Sequence, residues 1–166
     1  MKSVQNNTWS DYYLKLVSHG FNIVSQDDSR PWGGYFVIDE SQVEEFARRY
    51  FPDLELVTLK SSGKLSPKIL IVKPDARLSW QYHQRRSEIW TVVQGPVGIV
   101  RSDTDEEPSL EVHESGSTIV FSKEERHRLV GLENWGIVAE FWQHTDPNHP
   151  SDEEDIVRVQ DDYKRG

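Results

Sequence analysis

The sequence predicts a mainly β domain, a sandwich or barrel of short strands preceded by one or two helices. Three observations carry this expectation. From Leu54 onward, β-rich runs alternate with turn residues such as Ser62-Gly63, Pro74-Asp75, Gly95-Pro96 and Ser115-Gly116, and closely spaced short strands build sandwiches and barrels. Before that point apolar residues recur at helical spacing. At 166 residues the chain suits one domain with a sizeable core, and no internal repeat divides it.

The elements follow in chain order. Residues 8 to 19 form a helix, with Thr8 or Ser10 as N-cap and Gly20 ending it. Trp9, Tyr12, Tyr13, Leu16 and Val17 make its apolar face. Phe21 to Val24 is extended, Asp27 to Arg30 is a turn, and Phe36 to Ile38 is a strand. Ser41-x-x-Glu44 reads as a capping box ahead of a helix over 41 to 50, with Val43, Phe46, Ala47 and Tyr50 at helical spacing; Pro52 ends it. Strands are expected at Leu54 to Leu59, Lys68 to Lys73, Leu78 to His83, Glu88 to Val93 and Val97 to Arg101. Further runs lie at Leu110 to His113, Ser117 to Phe121, His127 to Gly131 and Gly136 to Trp142. Asp146 to Asp155 is a surface loop, and Asp155 to Val159 adds a last strand or turn.

Composition excludes several classes of function. A formal net charge of -9 argues against a broad nucleic-acid surface, because phosphate backbones demand concentrated Lys and Arg. A local basic pocket is still allowed. With no cysteine, disulfides and thiolate metal sites are ruled out, which fits a reducing cytosol. No run has the apolar length to span a membrane, and the N-terminus lacks the apolar core of a signal peptide. The expectation is a cytoplasmic protein with no membrane or nucleic-acid partner. Six Trp residues suit a β core or an aromatic-lined pocket.

The stretch LSWQYHQRRSEIWTVVQG, Leu78 to Gly95, concentrates the chemistry. Gln81 and His83 are two apart and share one face of a strand, while Trp80 and Tyr82 face the other way. A turn through Gln84 to Ser87 brings Glu88 back beside His83, on a face shared with Trp90 and Val92. An imidazole, a carboxylate and an amide oxygen suit zinc, manganese, iron, cobalt or nickel. The same triplet also arises by chance, with His83 as a hydrogen-bonded core or surface histidine. A second cluster, Gly116, Ser122, Glu124 and His127, offers one more ligand from a distant strand.

Both clusters match the spacing of the two signatures of the cupin superfamily: Gln81-x-His83-x4-Glu88-x6-Gly95, then Gly116-x5-Ser122-x-Glu124-x2-His127. The turn residues depart from the pattern. Asp75 stands where the first signature begins with Gly, and Gln81 replaces its first His. Ser122 and Glu124 replace Pro and Gly, and Gly131 replaces the closing Asn. More narrowly, RPWGGY at 30 to 35, the Leu78 to Gly95 stretch, the HRL at 127 to 129 and EEDIVRVQDDYKR at 153 to 165 resemble the cupin domain of type II mannose-6-phosphate isomerases. That domain is usually the C-terminal part of bifunctional mannose-1-phosphate guanylyltransferases. No Gly-rich nucleotide-binding segment precedes it here, and Gln84 and Arg85 fill a position where typical members carry histidines.

The resemblance implies a single double-stranded β-helix, or jelly-roll, barrel over residues 54–166. Residues 1–53 are expected to pack on it as a helical and extended segment, within one compact domain. It implies one divalent metal, zinc first among the candidates, held by Gln81, His83, Glu88 and His127. It also implies aldose–ketose isomerisation of a sugar phosphate, mannose 6-phosphate to fructose 6-phosphate, with a substrate or catalytic role for Arg86. A homodimer is a family-level expectation. For the base that isomerisation needs, Glu140 is the first candidate and Lys68 the second, each with a bland alternative in solvent or at a strand end. Arg85 beside Arg86 suits a phosphate or a surface ion pair. Arg30 is placed at one end of the pocket, with Trp32 and Trp90 lining it or buried in the barrel wall. His19, His113, His144 and His149 are expected on the surface or in loops. The alternatives are a sugar-binding cupin without turnover, and another sugar-modifying cupin such as a nucleotide-sugar epimerase or ketoisomerase or a lyase.

Overall fold

The structure, a computed structural model, describes residues 4–55, 63–146 and 148–163. Helix α1 (Val4–Ser18) leads into strands β1 (Ile23–Arg30) and β2 (Gly33–Ile38). A 3-10 turn (Glu40–Gln42) and helix α2 (Val43–Tyr50) follow. The remainder is β: β3 (Lys68–Val72), β4 (Trp80–Tyr82), β5 (Arg86–Gln94), β6 (Val97–Ser102), β7 (Glu111–His113), β8 (Thr118–Phe121), β9 (Arg126–Val130), β10 (Gly136–His144) and β11 (Val157–Gln160). Two antiparallel sheets face each other, ordered β1-β2-β3-β10-β5-β8 and β11-β4-β9-β6-β7. The long crossovers between neighbours in space make this a jelly roll, within the sandwich or barrel that the strand pattern predicted and as the family resemblance implied.

Alternation along the strands explains both the core and the site. In β3, Lys68 to Val72 are all buried, because each face of the sheet is covered. Ile69 and Ile71 join Ile89, Ala139 and Phe141 in a cluster with Tyr12, Leu16, Phe46 and Tyr50 of the two helices. Leu70 and Val72 face the other way, into a second cluster with Trp90, Val92, Val138 and Leu129 between the sheets. The helices therefore roof the outer face of the larger sheet, with Phe141 packed 5.2 Å from Phe46 and 4.7 Å from Phe51. Lys68 and Glu140 have the parity of the inner set and point into the barrel.

Several local expectations change. The first helix begins ahead of Thr8 and Ser10, so neither caps it. It buries Tyr12 and Leu16 but leaves Tyr13 and Val17 exposed. Gly20 does end it: at φ +87° it lets the Gly20 and Phe21 amides donate to the Val17 and Leu16 carbonyls, a Schellman closure. Asp27 to Arg30 belongs to β1, irregular at that end where it pairs with β2; the turn is displaced to Pro31 and Trp32. Ser41 is not a capping-box N-cap. Asp39, two residues earlier, accepts from its amide at 3.0 Å and from its hydroxyl at 2.9 Å. Of the strand expected at Leu54 to Leu59, residues 54 and 55 are not strand and the rest lies outside the described residues. The two signature positions where Asp75 and Glu124 replace Gly keep positive φ, +60° and +67°. The backbone turns are thus retained with side chains that visit this region at some cost.

The acidic stretch from Asp103 has a structural task. It folds over the outer face of the smaller sheet, where the Asp105 carbonyl accepts from Trp80 Nε1 and its carboxylate pairs with Arg126. Glu107 meets the fully buried Arg128 at 2.7 Å. None of the described helices is long and apolar enough to cross a membrane.

Candidate functional site

The site sits between the sheets, where the inner faces of β3, β5 and β10 meet β4 and β9. Gln81 lies opposite His127 across the β4–β9 pair, which is the long-range contact that brings the two signature clusters together. His83 follows β4 directly, and Glu88 projects inward from β5 beside Trp90. His83, Glu88 and His127 each offer one donor atom, all within 4.8 Å of one another and all buried. Gln81 lines the same cavity and is 7% exposed.

Both imidazoles are oriented by backbone carbonyls. His83 Nδ1 donates to the Asp155 carbonyl at 2.7 Å, and His127 Nδ1 to that of Glu125 at 3.0 Å. Each Nε2 is thereby turned to Glu88, at 3.2 Å from Oε2 and Oε1 respectively. His127 Nε2 lies off the line of a hydrogen bond and is left without a hydrogen-bond partner among the described residues. An orphaned buried nitrogen aimed at a carboxylate, with its opposite nitrogen pinned, is the arrangement of a metal-ligating histidine. The donor set fits a divalent cation.

The electrostatics agree. Burial lowers His83 to about 4, against the opposing pull of Glu88, so its imidazole is neutral and offers a lone pair. Burial alone would raise Glu88, but His83, Arg86 and His127 outweigh it and hold the carboxyl well below its usual range. For His127 burial is the largest single influence and pushes it down, but Glu88 and the Glu125 carbonyl together outweigh it and leave it above its ordinary value. A cation seated here displaces that proton, so uptake weakens as pH falls.

Glu140 completes the floor. It sits opposite Trp90 on one side and Lys68 on the other, and is 4% exposed. Trp90 Nε1 donates to it at 2.9 Å and, more weakly, to Glu88 at 3.2 Å; Trp142 Nε1 donates at 2.7 Å. Burial and the charge of Glu88 raise its pKa from 4.5 to about 7, against the lowering effect of Lys68 and Arg86. Glu140 is therefore not a solvent-facing strand residue.

The other expected residues divide. Arg30, Trp32, Lys68, Arg86 and Trp90 line the cavity with Gln81, His83, Glu88 and Glu140. Arg86 is buried and heavily committed, donating to Glu88 at 2.8 Å, His83 Nε2 at 3.2 Å and Ser151 at 3.0 Å, with its guanidinium 3.5 Å from the Trp142 ring centre. Trp90 and Trp32 are wall residues of the inner cluster. Arg85 points elsewhere: it is outside the cavity lining and pairs with Asp152 at 3.3 Å. His127 lies beneath the lining, stacked 4.8 Å from Phe121. His144, expected on the surface, is buried in β10, where Ser151 donates its amide to Nδ1 at 2.9 Å.

Among the lining residues not singled out from the sequence are Tyr35, Glu153 and Arg158. For Tyr35 a signal existed, since it alternates with Phe36 and Ile38, both buried against the helices. Arg158 faces Gln81 across the β11–β4 pair, a contact without local trace. Asp155, also missed, is the hub of the closing segment. Its carboxylate accepts from the amides of Gln84 and Arg85 at 2.9 Å each and from the Ser151 hydroxyl at 2.6 Å, fixing the turn that carries His83. Asp146 to Asp155 is thus no plain surface loop.

Comparison with known proteins agrees with this architecture. A capsular polysaccharide assembling protein, CapF from Staphylococcus aureus, superposes with a TM-score of 0.55 at 13% identity over 82% of this chain. The chain spans about a third of CapF, 34% of its length. KdgF from Halomonas sp. superposes with a TM-score of 0.52 at 16% identity, covering 78% of this chain and 89% of KdgF. At such identities the likeness is one of fold, and the fold is the cupin barrel. No curated protein matches the sequence. The model of one sequence family does match, over residues 41–161, from the 3-10 turn to the last strand. That match, over more than half of the chain, shows that the chain belongs to the family described as mannose-6-phosphate isomerase C-terminal.

Proposed function

We propose that the protein is a metal-dependent aldose–ketose isomerase of a sugar phosphate, with mannose 6-phosphate to fructose 6-phosphate as its reaction. The observation that carries this reading is the pairing, in one cavity, of a His83–Glu88–His127 donor set with a buried carboxyl, Glu140, poised near neutral pH. Family membership supports the same reading.

His83, Glu88 and His127, with Gln81 as a fourth donor, would hold the metal. When bound, a divalent cation supplies Lewis-acid stabilisation of the negative charge that develops on the enediolate oxygens. The proton work falls to Glu140. As carboxylate it takes the proton from C2 of the open-chain aldose, and as carboxylic acid it returns one to C1; the O2 proton moves to O1. The carbonyl passes from C1 to C2 with no atom gained or lost. A base poised near the working pH is effective in both half-steps. Trp90 and Trp142 hold both carboxylate oxygens and so fix its direction. Lys68, the other candidate base, is engaged with Glu153 at 2.7 Å. The cavity gathers Arg30, Lys68, Arg86 and Arg158 in a chain of net charge -9, which favours an anionic substrate.

The test is incubation of metal-loaded protein with mannose 6-phosphate in deuterated water. Fructose 6-phosphate carrying deuterium at C1 is expected, and Glu140→Gln abolishes it. Tight sugar-phosphate binding with no product and no exchange would instead assign the protein to sugar binding.

A further inference from the structure

The cavity over the metal ligands measures about 100 Å³, well below the roughly 300–1,000 Å³ of pockets that enclose drug-sized ligands. A second recess of about 290 Å³ adjoins it, and the two share the side chains of Lys68 and Glu153. That ion pair lines both spaces. Joined, the two spaces reach the size a hexose phosphate needs.

The partners are unequal. The Lys68 side chain is 8% exposed and that of Glu153 66%. The Lys68 ammonium lies 4.9 Å from the Tyr35 ring centre and 4.8 Å from that of Trp142, two apolar faces that offer no hydrogen-bond acceptor in line. Arg30 stands over the same Tyr35 ring at 5.7 Å. An exposed carboxylate that leaves regains its water at little cost. A buried ammonium left alone is costly. An anion takes the place of Glu153 at the least penalty, since the other nearby carboxyl, Glu140, is already held by Trp90 and Trp142.

We propose that Glu153 occupies the seat of the substrate's phosphoryl group, and that the phosphoryl displaces it to bind Lys68, with Arg30, which contacts the same Tyr35 ring, beside it. The backbone need not move, because Ser151 and Asp155 on both flanks are tied to Arg86 and to the His83 turn; a swing of one side chain opens the wall. The device also selects. A neutral sugar that dislodges Glu153 strands the Lys68 charge, while a phosphorylated one replaces it with a stronger ligand. The proposal rests on the sugar-phosphate reading for the remainder of the ligand, and its test reads binding rather than turnover.

Binding of mannose 6-phosphate, inorganic phosphate and mannose is measured by calorimetry on the full chain. Glu153→Gln is expected to tighten mannose 6-phosphate and inorganic phosphate on the order of 5-fold, the equivalent of about 1 kcal/mol, and to leave mannose unchanged. In a Lys68→Met background the Glu153→Gln gain is expected to vanish; Lys68→Gln, which also removes the charge but keeps a polar side chain, serves the same cycle if Met misfolds. Equal tightening of mannose, no tightening of either phosphate, or a gain that persists without Lys68 overturns the proposal. Because fructose 6-phosphate formation is assayed separately, absent turnover with this binding pattern intact sinks the isomerase reading alone.

Discussion

Glu140 makes the sharpest prediction, because the same physics that underlies its proposed part in proton transfer makes it destabilising. Folding raises its pKa from 4.5 to about 7, chiefly through burial and the neighbouring Glu88 charge. A raised acid favours the folded state while it is protonated in both states, below about pH 4.5. As pH climbs towards 7 the unfolded chain releases its proton first, and stability is lost at about 1.4 kcal/mol per pH unit. The loss totals about 3 kcal/mol and is complete above pH 7. Glu140→Gln removes this slope. It also sets an amide nitrogen against one of the two indole donors, at a cost of about 1 kcal/mol. The variant is therefore expected to be about 1 kcal/mol less stable than wild type at pH 4.5 and about 2 kcal/mol more stable at pH 8, in urea melts of chelator-treated protein. Adding a divalent metal should flatten the wild-type slope, because the cation offsets the Glu88 charge. A stability difference that does not change between pH 5 and pH 8 would refute the reasoning.

Three further outcomes are expected. His83→Ala and His127→Ala should each abolish stoichiometric uptake of zinc or manganese by metal analysis, and wild-type uptake should weaken as pH falls below neutrality. Asp155→Ala removes the acceptor of two backbone amides and one hydroxyl; it should cost about 3 kcal/mol in denaturant melts and loosen metal binding roughly 10–100-fold, although Asp155 touches no metal. Arg128→Ala should cost about 3–5 kcal/mol, because Arg128 is fully buried and ties Leu78, Glu107 and Gln160 together; its metal affinity per folded molecule should be unchanged.

Local periodicity carried much of what the sequence could tell. Alternation placed Glu88, Trp90 and Val92 on one face, and the structure turns that face into the barrel. The same rule, run one step further along β10, would have buried His144 beside Val138, Glu140 and Trp142; ending the strand at Trp142 hid it. The helix over 41 to 50 was legible from its apolar spacing. Its cap was not, since Asp39 and Ser41 are both good caps and only backbone geometry chooses between them.

By itself the chain determined the β-rich architecture, the two signature clusters and the acidic net charge, because each depends on composition or on residues within a few positions of one another. Tertiary structure alone decided that His127 pairs with Gln81, that Arg158 faces the cavity while Arg85 turns to Asp152, and that Glu153 reaches Lys68. Those contacts join segments far apart in sequence, and no local propensity encodes their register. The near-neutral acidity of Glu140 belongs to the same class: it follows from a desolvated neighbourhood and a nearby charge, which exist only once the two sheets have closed over it.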